Sequence, residues 1–223
     1  MAHFAFDDSV VPVRTNIGDA QRNAWQWLAQ PGSWWSGEQH VALARVLRDA
    51  RAQRSRPPWL RDQAPPSKDS LPAAAIEVAR RVANDAHQLD RAWADQMVQE
   101  LGDAAYVEVV AVVAIVTAID AFAEAIGAPL EGLPDPQPGA PDGARPSSVA
   151  DDGAWVAMTV PFTGPNVARA LSLIPSAQMT FFGLVGSMYA FTDFQTMIWD
   201  RPLTRPQVEL VAARVSAVNE CFY

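Results

Sequence analysis

The chain has 223 residues and a mass of 24.2 kDa, enough for one large domain or two small ones with a real core. Apolar residues make up 49% and charged residues 19%, a globular balance that argues against general disorder. The formal net charge of -8 argues against a nucleic-acid surface, which needs a basic stripe.

The opening MAHFAFDDSVVPVR has neither the basic start nor the long apolar core of a secretory signal. Apolar spacing predicts a first helix from about Asp19 to Ala29, carrying Trp25 and Trp27. A second begins after Ser36, which forms an S-x-x-Q capping box with Gln39. Its apolar face is Val41, Leu43, Ala44 and Leu47, and it fades near Gln53. Arg45, Arg48 and Arg51 cluster there, but interleaved acidic residues make this a solvated face. A proline-rich loop with Pro57, Pro58, Pro65 and Pro66 follows.

Further helices are expected from about Ala73 to Asn84, from Asp90 to Leu101 and from Asp103 to Ile126, with Gly102 and Gly127 at the usual C-terminal glycine positions. The apolar run from Ala104 to Ile126 is long enough to span a bilayer. Glu108, Asp120 and Glu124 make that crossing costly, so it reads as a buried bundle helix with no membrane contact.

From Pro129 to Pro146, PLEGLPDPQPGAPDGARP reads as a semi-rigid proline-rich linker. The stretch AWVAMTVPF is compatible with a short strand or an ordered arm. Helices resume from about Asn166, through SAQMTFFGLVGSMYAF, and again after Thr204. In the last one Val208, Val211, Val215 and Val218 have the three-four spacing of a buried stripe.

Thr204 and Gln207 repeat the capping-box pattern of Ser36 and Gln39, 168 positions later. On that offset Leu43 meets Val211, Leu47 meets Val215 and Gln53 meets Cys221, a weak internal repeat. Cys221 is the only cysteine, so no internal disulfide is available and a reducing cytoplasm is expected. His3, His40 and His87 are scattered without metal-ligand spacing, and no metal or cofactor is expected.

The segment LTRPQVELVAARVSAVNECFY resembles the signature of the alkylhydroperoxidase D and carboxymuconolactone decarboxylase superfamily. In its peroxidase branch a helical glutamate is followed twelve residues later by Cys-x-x-Cys and then by a histidine. Here Glu209 and Cys221 have that separation. The second cysteine would stand directly after Tyr223; a selenocysteine codon, UGA, is the favoured expectation at that point, with a nonsense mutation or artificial truncation and the natural end of a shortened protein as the alternatives. GSWWSGEQHVALARVLRDARA and LGDAAYVEVVAVVAIVTAIDAFAEAIG resemble the opening helix and the long closing helix of one unit. The first unit departs from the redox pattern: Gln53-Arg54-Ser55-Arg56 stands at its thiol positions and Val41 at its glutamate.

The resemblance implies an all-α fold: residues 1–128 as a degenerate first alkylhydroperoxidase-D-like helical unit, 129–165 as a proline-rich linker or arm, and 166–223 as an incomplete second unit. It implies a thiol- or selenol-dependent peroxidase or disulfide reductase, with a peroxide substrate, a thiol or dithiol reductant and homo-oligomeric packing. Cys221 would be the resolving thiol and Glu209 the start of a proton relay, with little or at best slow one-cysteine turnover from this chain. The alternatives are a decarboxylase-like lyase acting on small cyclic acids and a non-catalytic helical assembly module. Twelve residues of unbroken helix would separate Glu209 and Cys221 by roughly 18 Å. The relay therefore requires a break: the helix is expected to end near Val218, with Asn219 as a cap and a new helix beginning around Glu220.

Overall fold

The computed structural model describes residues 4–7, 9–54, 71–162, 166–189 and 202–221. Among them the chain is all-α: α1 (Thr15–Ala29), α2 (Gly37–Gln53), α3 (Ala73–Asn84), α4 (Arg91–Leu101), α5 (Asp103–Ala125), α6 (Asn166–Arg169), α7 (Pro175–Tyr189) and α8 (Arg205–Val218). The proline-rich loop expected after Gln53, residues 55 and 56 of the first-unit motif position, and the residues after Cys221 lie outside the described residues.

Local chemistry sets most of the helix ends. The Ser36 hydroxyl accepts the Gln39 N–H at 3.2 Å while the Gln39 amide oxygen accepts the Ser36 N–H at 3.0 Å, the reciprocal pair that starts α2. Asp90 caps α4 through the Trp93 N–H at 2.8 Å. Gly102, at φ +84°, ends α4 and starts α5 within one residue, a backbone turn that a side chain would strain. The first helix starts four residues before its expected position. Arg14 precedes it without a side-chain cap, so no polar signal marked that boundary.

Helix α5 is the axis of the core. Fourteen of its 23 residues are buried, Ile115, Val116 and Ile119 among the deepest. It is long and apolar enough to cross a membrane by length and composition, but here α1, α2, α3, α4 and α7 pack around it. One continuous hydrophobic cluster joins α1 to α5 with Leu171, Leu173, Ile174, Ala177 and Leu184 from the α6–α7 region. The stretch left open as strand or arm pairs Met158–Thr159 antiparallel with Val149–Ala150, a two-residue ladder.

The segment read as a linker lies against this bundle as a strap. Trp25 Nε1 donates to the Gly132 carbonyl, the Gln137 N–H to the Ala29 carbonyl and the Gly143 N–H to the Ser33 carbonyl, each at 2.8 Å. Arg145 closes its far end through a bidentate pair with Asp103 at 2.5 and 2.7 Å. At Gly139 a Cβ would meet Pro31 Cγ at 2.6 Å, so the strap approaches the loop before α2 too closely for a side chain.

Candidate functional site

Glu209 and Cys221 both belong to α8 and its C-terminal turn. Pro206 sits in the first turn of the helix, and the Gln207 amide oxygen accepts from the Thr204 N–H at 2.8 Å. The helix ends at Val218, as the break argument expected, but the new helix expected around Glu220 does not start there, because Glu220 lies in a left-handed turn. The Glu220 N–H bonds the Ala217 carbonyl at 3.2 Å and the Cys221 N–H bonds the Ser216 carbonyl at 2.9 Å, the paired bonds of a Schellman motif. Glu220 takes the left-handed position, φ +54°, that glycine usually fills. Asn219 Nδ2 donates back to the Val215 carbonyl at 2.9 Å, so this residue closes the helix that precedes it.

This turn leaves Cys221 as an exposed free thiol just beyond the helix. Glu209 is also exposed, 3.5 Å from Arg205 Nε one turn earlier. Burial first, and the Glu209 charge second, push the Tyr189 phenol above its ordinary value, which places Glu209 near the end of α7. The Cys221 N–H lies against the Ser216 carbonyl, and Ser216 stands seven residues after Glu209, roughly 10 Å along the axis. The turn therefore does not bring the carboxylate into hydrogen-bond reach of the thiol.

The valine stripe of α8 is not buried. Val211, Val215 and Val218 are 59%, 53% and 65% exposed, and α8 has no buried residue. Its counterparts on α2, Leu43 and Leu47, are fully buried against the bundle. The spacing correctly marks one apolar face, but no other described element covers it.

A second polar constellation is one that motif reading missed. Glu108, on α5, is fully buried and accepts the Ser33 N–H at 3.0 Å and the Trp34 N–H at 2.7 Å. His40, on α2 and equally buried, places Nε2 3.1 Å from Glu108 Oε1 and Nδ1 3.1 Å from the Gln30 carbonyl. Trp27 stacks on the imidazole at 4.9 Å. The carboxylate presses so closely on Gly32 that a Cβ there would lie 1.7 Å from Glu108 Oε1. With both side chains sealed from solvent, this pair fixes the loop before α2 and offers no path to a substrate. The sequence signal for it was a glutamate in the most apolar part of the long helical run, and the Pro31-Gly32 turn it meets lies far earlier in the chain.

Arg48 makes a parallel link on the same two helices. It grips Asp120 with two bonds of 2.9 and 2.6 Å, donates to the Glu131 carbonyl at 2.9 Å and lies over the Trp25 ring at 5.6 Å. Among the described residues no group of three His, Cys, Asp or Glu side chains could hold a metal ion. Comparison with protein-family models, curated protein sequences and solved structures finds no match to this chain.

Proposed function

We propose that the chain carries thiol-dependent redox chemistry of the alkylhydroperoxidase D type, with Cys221 as its reactive sulfur. The observation that supports this reading is the helix break: α8 closes at Asn219, and the left-handed Glu220 leaves an exposed free thiol twelve positions after Glu209. An exposed thiol of this kind keeps its reduced form in a reducing compartment, so the proposal places the chain in the cytoplasm.

The chemistry runs through the thiolate. Its sulfur attacks one oxygen of a hydroperoxide, the O–O bond breaks, and a new S–O bond gives the sulfenic acid. The departing alkoxide takes up a proton and leaves as alcohol. A small thiol then attacks the sulfenic sulfur, releasing water and forming a mixed disulfide, and a second equivalent of that thiol restores Cys221. Given its distance, Glu209 enters as the outer end of a proton relay rather than as the group that touches sulfur.

The test is exposure of the reduced chain to hydrogen peroxide and cumene hydroperoxide with a sulfenic-acid trap, followed by intact mass and peptide mapping. One added oxygen, trapped at Cys221 and absent in Cys221→Ser, is expected. Peroxide consumption equal in the wild type and Cys221→Ser, with no trapped adduct, overturns the proposal.

A second reading, a helical assembly module, is favoured by the uncovered stripe of α8. Sedimentation equilibrium over a range of concentrations separates the two. Concentration-dependent association without sulfenate formation supports assembly as the function.

A further inference from the structure

The sequence holds two Asp-Gly steps, Asp142-Gly143 and Asp152-Gly153. An aspartyl side chain can close on the main-chain nitrogen that follows it, most readily when the next residue is glycine, which has no Cβ to hinder the ring. The structure sets the two steps in different surroundings. Gly153 donates its N–H to Asp151 Oδ1 at 3.0 Å, a bond made within two residues, and the Asp152 carboxylate pairs with Arg169. Asp142-Gly143 lies instead in the exposed strap and is held from outside it.

Asp142 Oδ1 accepts the Ala144 N–H at 2.8 Å, so the carboxyl folds back over the Gly143 peptide unit. Two carbonyls of the loop before α2 pin that unit. Ser33 accepts the Gly143 N–H at 2.8 Å, and Gly32 accepts the Asp142 N–H at 3.4 Å. The bond to Ser33 keeps a proton on the nitrogen that would have to attack. Together the two bonds resist the main-chain rotation that ring closure needs. Both restraints are lost at once when the strap lifts.

We propose that Asp142 is a site of isoaspartate formation guarded by the docked strap, and that the reaction makes release of the strap permanent. In the released strap the Gly143 nitrogen gives its proton to solvent and attacks Asp142 Cγ. A C–N bond forms, a Cγ–O bond breaks and water leaves, which gives a cyclic imide. Water then opens the imide. Cleavage of the bond to Cγ restores aspartate, and cleavage of the bond to the main-chain carbonyl carbon leaves the chain running through Cβ and Cγ. No oxidant or reductant takes part.

The altered main chain is one carbon longer, about 1.5 Å of added bond length. Gly143 then no longer meets Ser33, nor Arg145 Asp103, in the register that their hydrogen bonds need. The site is separate from Cys221 and stands or falls independently of the redox reading.

Wild type, Arg145→Ala and Gly139→Val, whose new side chain would press on Pro31, are kept at neutral pH and physiological temperature beside a peptide of residues 138–148. Electron-transfer fragmentation of their digests separates isoaspartate from aspartate at equal mass and follows both Asp-Gly steps. Isomerisation at Asp142 is expected to be at least about tenfold slower in the wild type than in the peptide, because its rate follows the fraction of time the strap is open. Each variant should exceed the wild-type rate by at least about threefold, with the Asp152 rate unchanged across the three chains. In the isomerised wild-type fraction the Gly143 amide should exchange without protection. Equal Asp142 rates in peptide and wild type, variants no faster than the wild type, or equal acceleration at both Asp-Gly steps overturns the guarding role. Native protection of Gly143 in the isomerised chain overturns the permanent release.

Discussion

His40 Nε2 stands 3.1 Å from Glu108 Oε1 although 68 positions separate the two residues, and neither side chain reaches solvent. The Gln30 carbonyl can only accept, so Nδ1 of His40 carries a proton. Through the contact of His40 with Glu108, α2, α5 and the loop before α2 are tied at a single point. The strap is tied there as well, because Gly143 bonds to Ser33 in the same loop.

Replacing Glu108 with Ala removes the acceptor for the Ser33 and Trp34 N–H groups and for the imidazole together. Buried donors left without partners are costly, so a loss of about 3 kcal/mol or more in unfolding free energy is expected. His40→Ala leaves Glu108 its two backbone donors and should cost less. Urea denaturation of both variants gives the order, and a larger loss for His40→Ala would show that the Trp27 stack, not the carboxylate, holds the loop.

Gly32→Ala tests the same contact from the other side. The added methyl would overlap Glu108 Oε1, also buried, so either the loop or the carboxylate must shift. A destabilisation of about 2–3 kcal/mol is expected from overpacking and lost hydrogen bonds. A melting temperature within a degree or two of wild type, by calorimetry, would show that the loop yields cheaply.

Much of the helical frame was legible in the sequence because its ends are made by local chemistry. Ser36 with Gln39, Asp90, Gly102 and Gly127 each act within a few residues of themselves, and the helices they bound lie close to where they were expected. What the chain could not declare was the identity of distant partners. Proline-rich composition describes an extended segment, yet only the folded bundle presents the Ala29 and Ser33 carbonyls that fasten it as a strap. Periodicity found the apolar face of α8 but not its surroundings. At the candidate site the spacing of Glu209 and Cys221 and the break near Val218 were readable. The closing role of Asn219 was not, because either side of such a residue can be capped.

The strap should loosen in acid. The Arg145 hydrogen bond, with its charge, holds the Asp103 carboxyl below its ordinary value even though burial opposes this. A carboxyl depressed in the folded state contributes stability that is complete above its unfolded value, about 3.9, and is lost as pH falls through the folded value. Hydrogen exchange of the Gly143 amide should therefore quicken relative to its intrinsic rate below about pH 4 in the wild type. In Arg145→Ala, faster exchange at neutral pH with little further acid response is expected. An identical pH profile in both chains would assign the strap's hold to its backbone bonds alone.

Leu47 and Val215 occupy matching positions of the two capped helices, one fully buried and the other 53% exposed. Leu47→Ala opens a hole in the packing of α2 against α3 and α5 and should cost about 2–5 kcal/mol. Val215→Ala removes a side chain already half in solvent, and a change within about 0.5 kcal/mol is expected. Val215→Glu should be equally mild for folding while lowering any self-association, since a charge in the stripe must be desolvated whenever another surface covers it. Denaturation reads the first effect and sedimentation the second. A loss above about 2 kcal/mol for Val215→Ala would mean that α8 packs in solution as closely as α2 does, and the uncovered face would then have a partner within the folded chain.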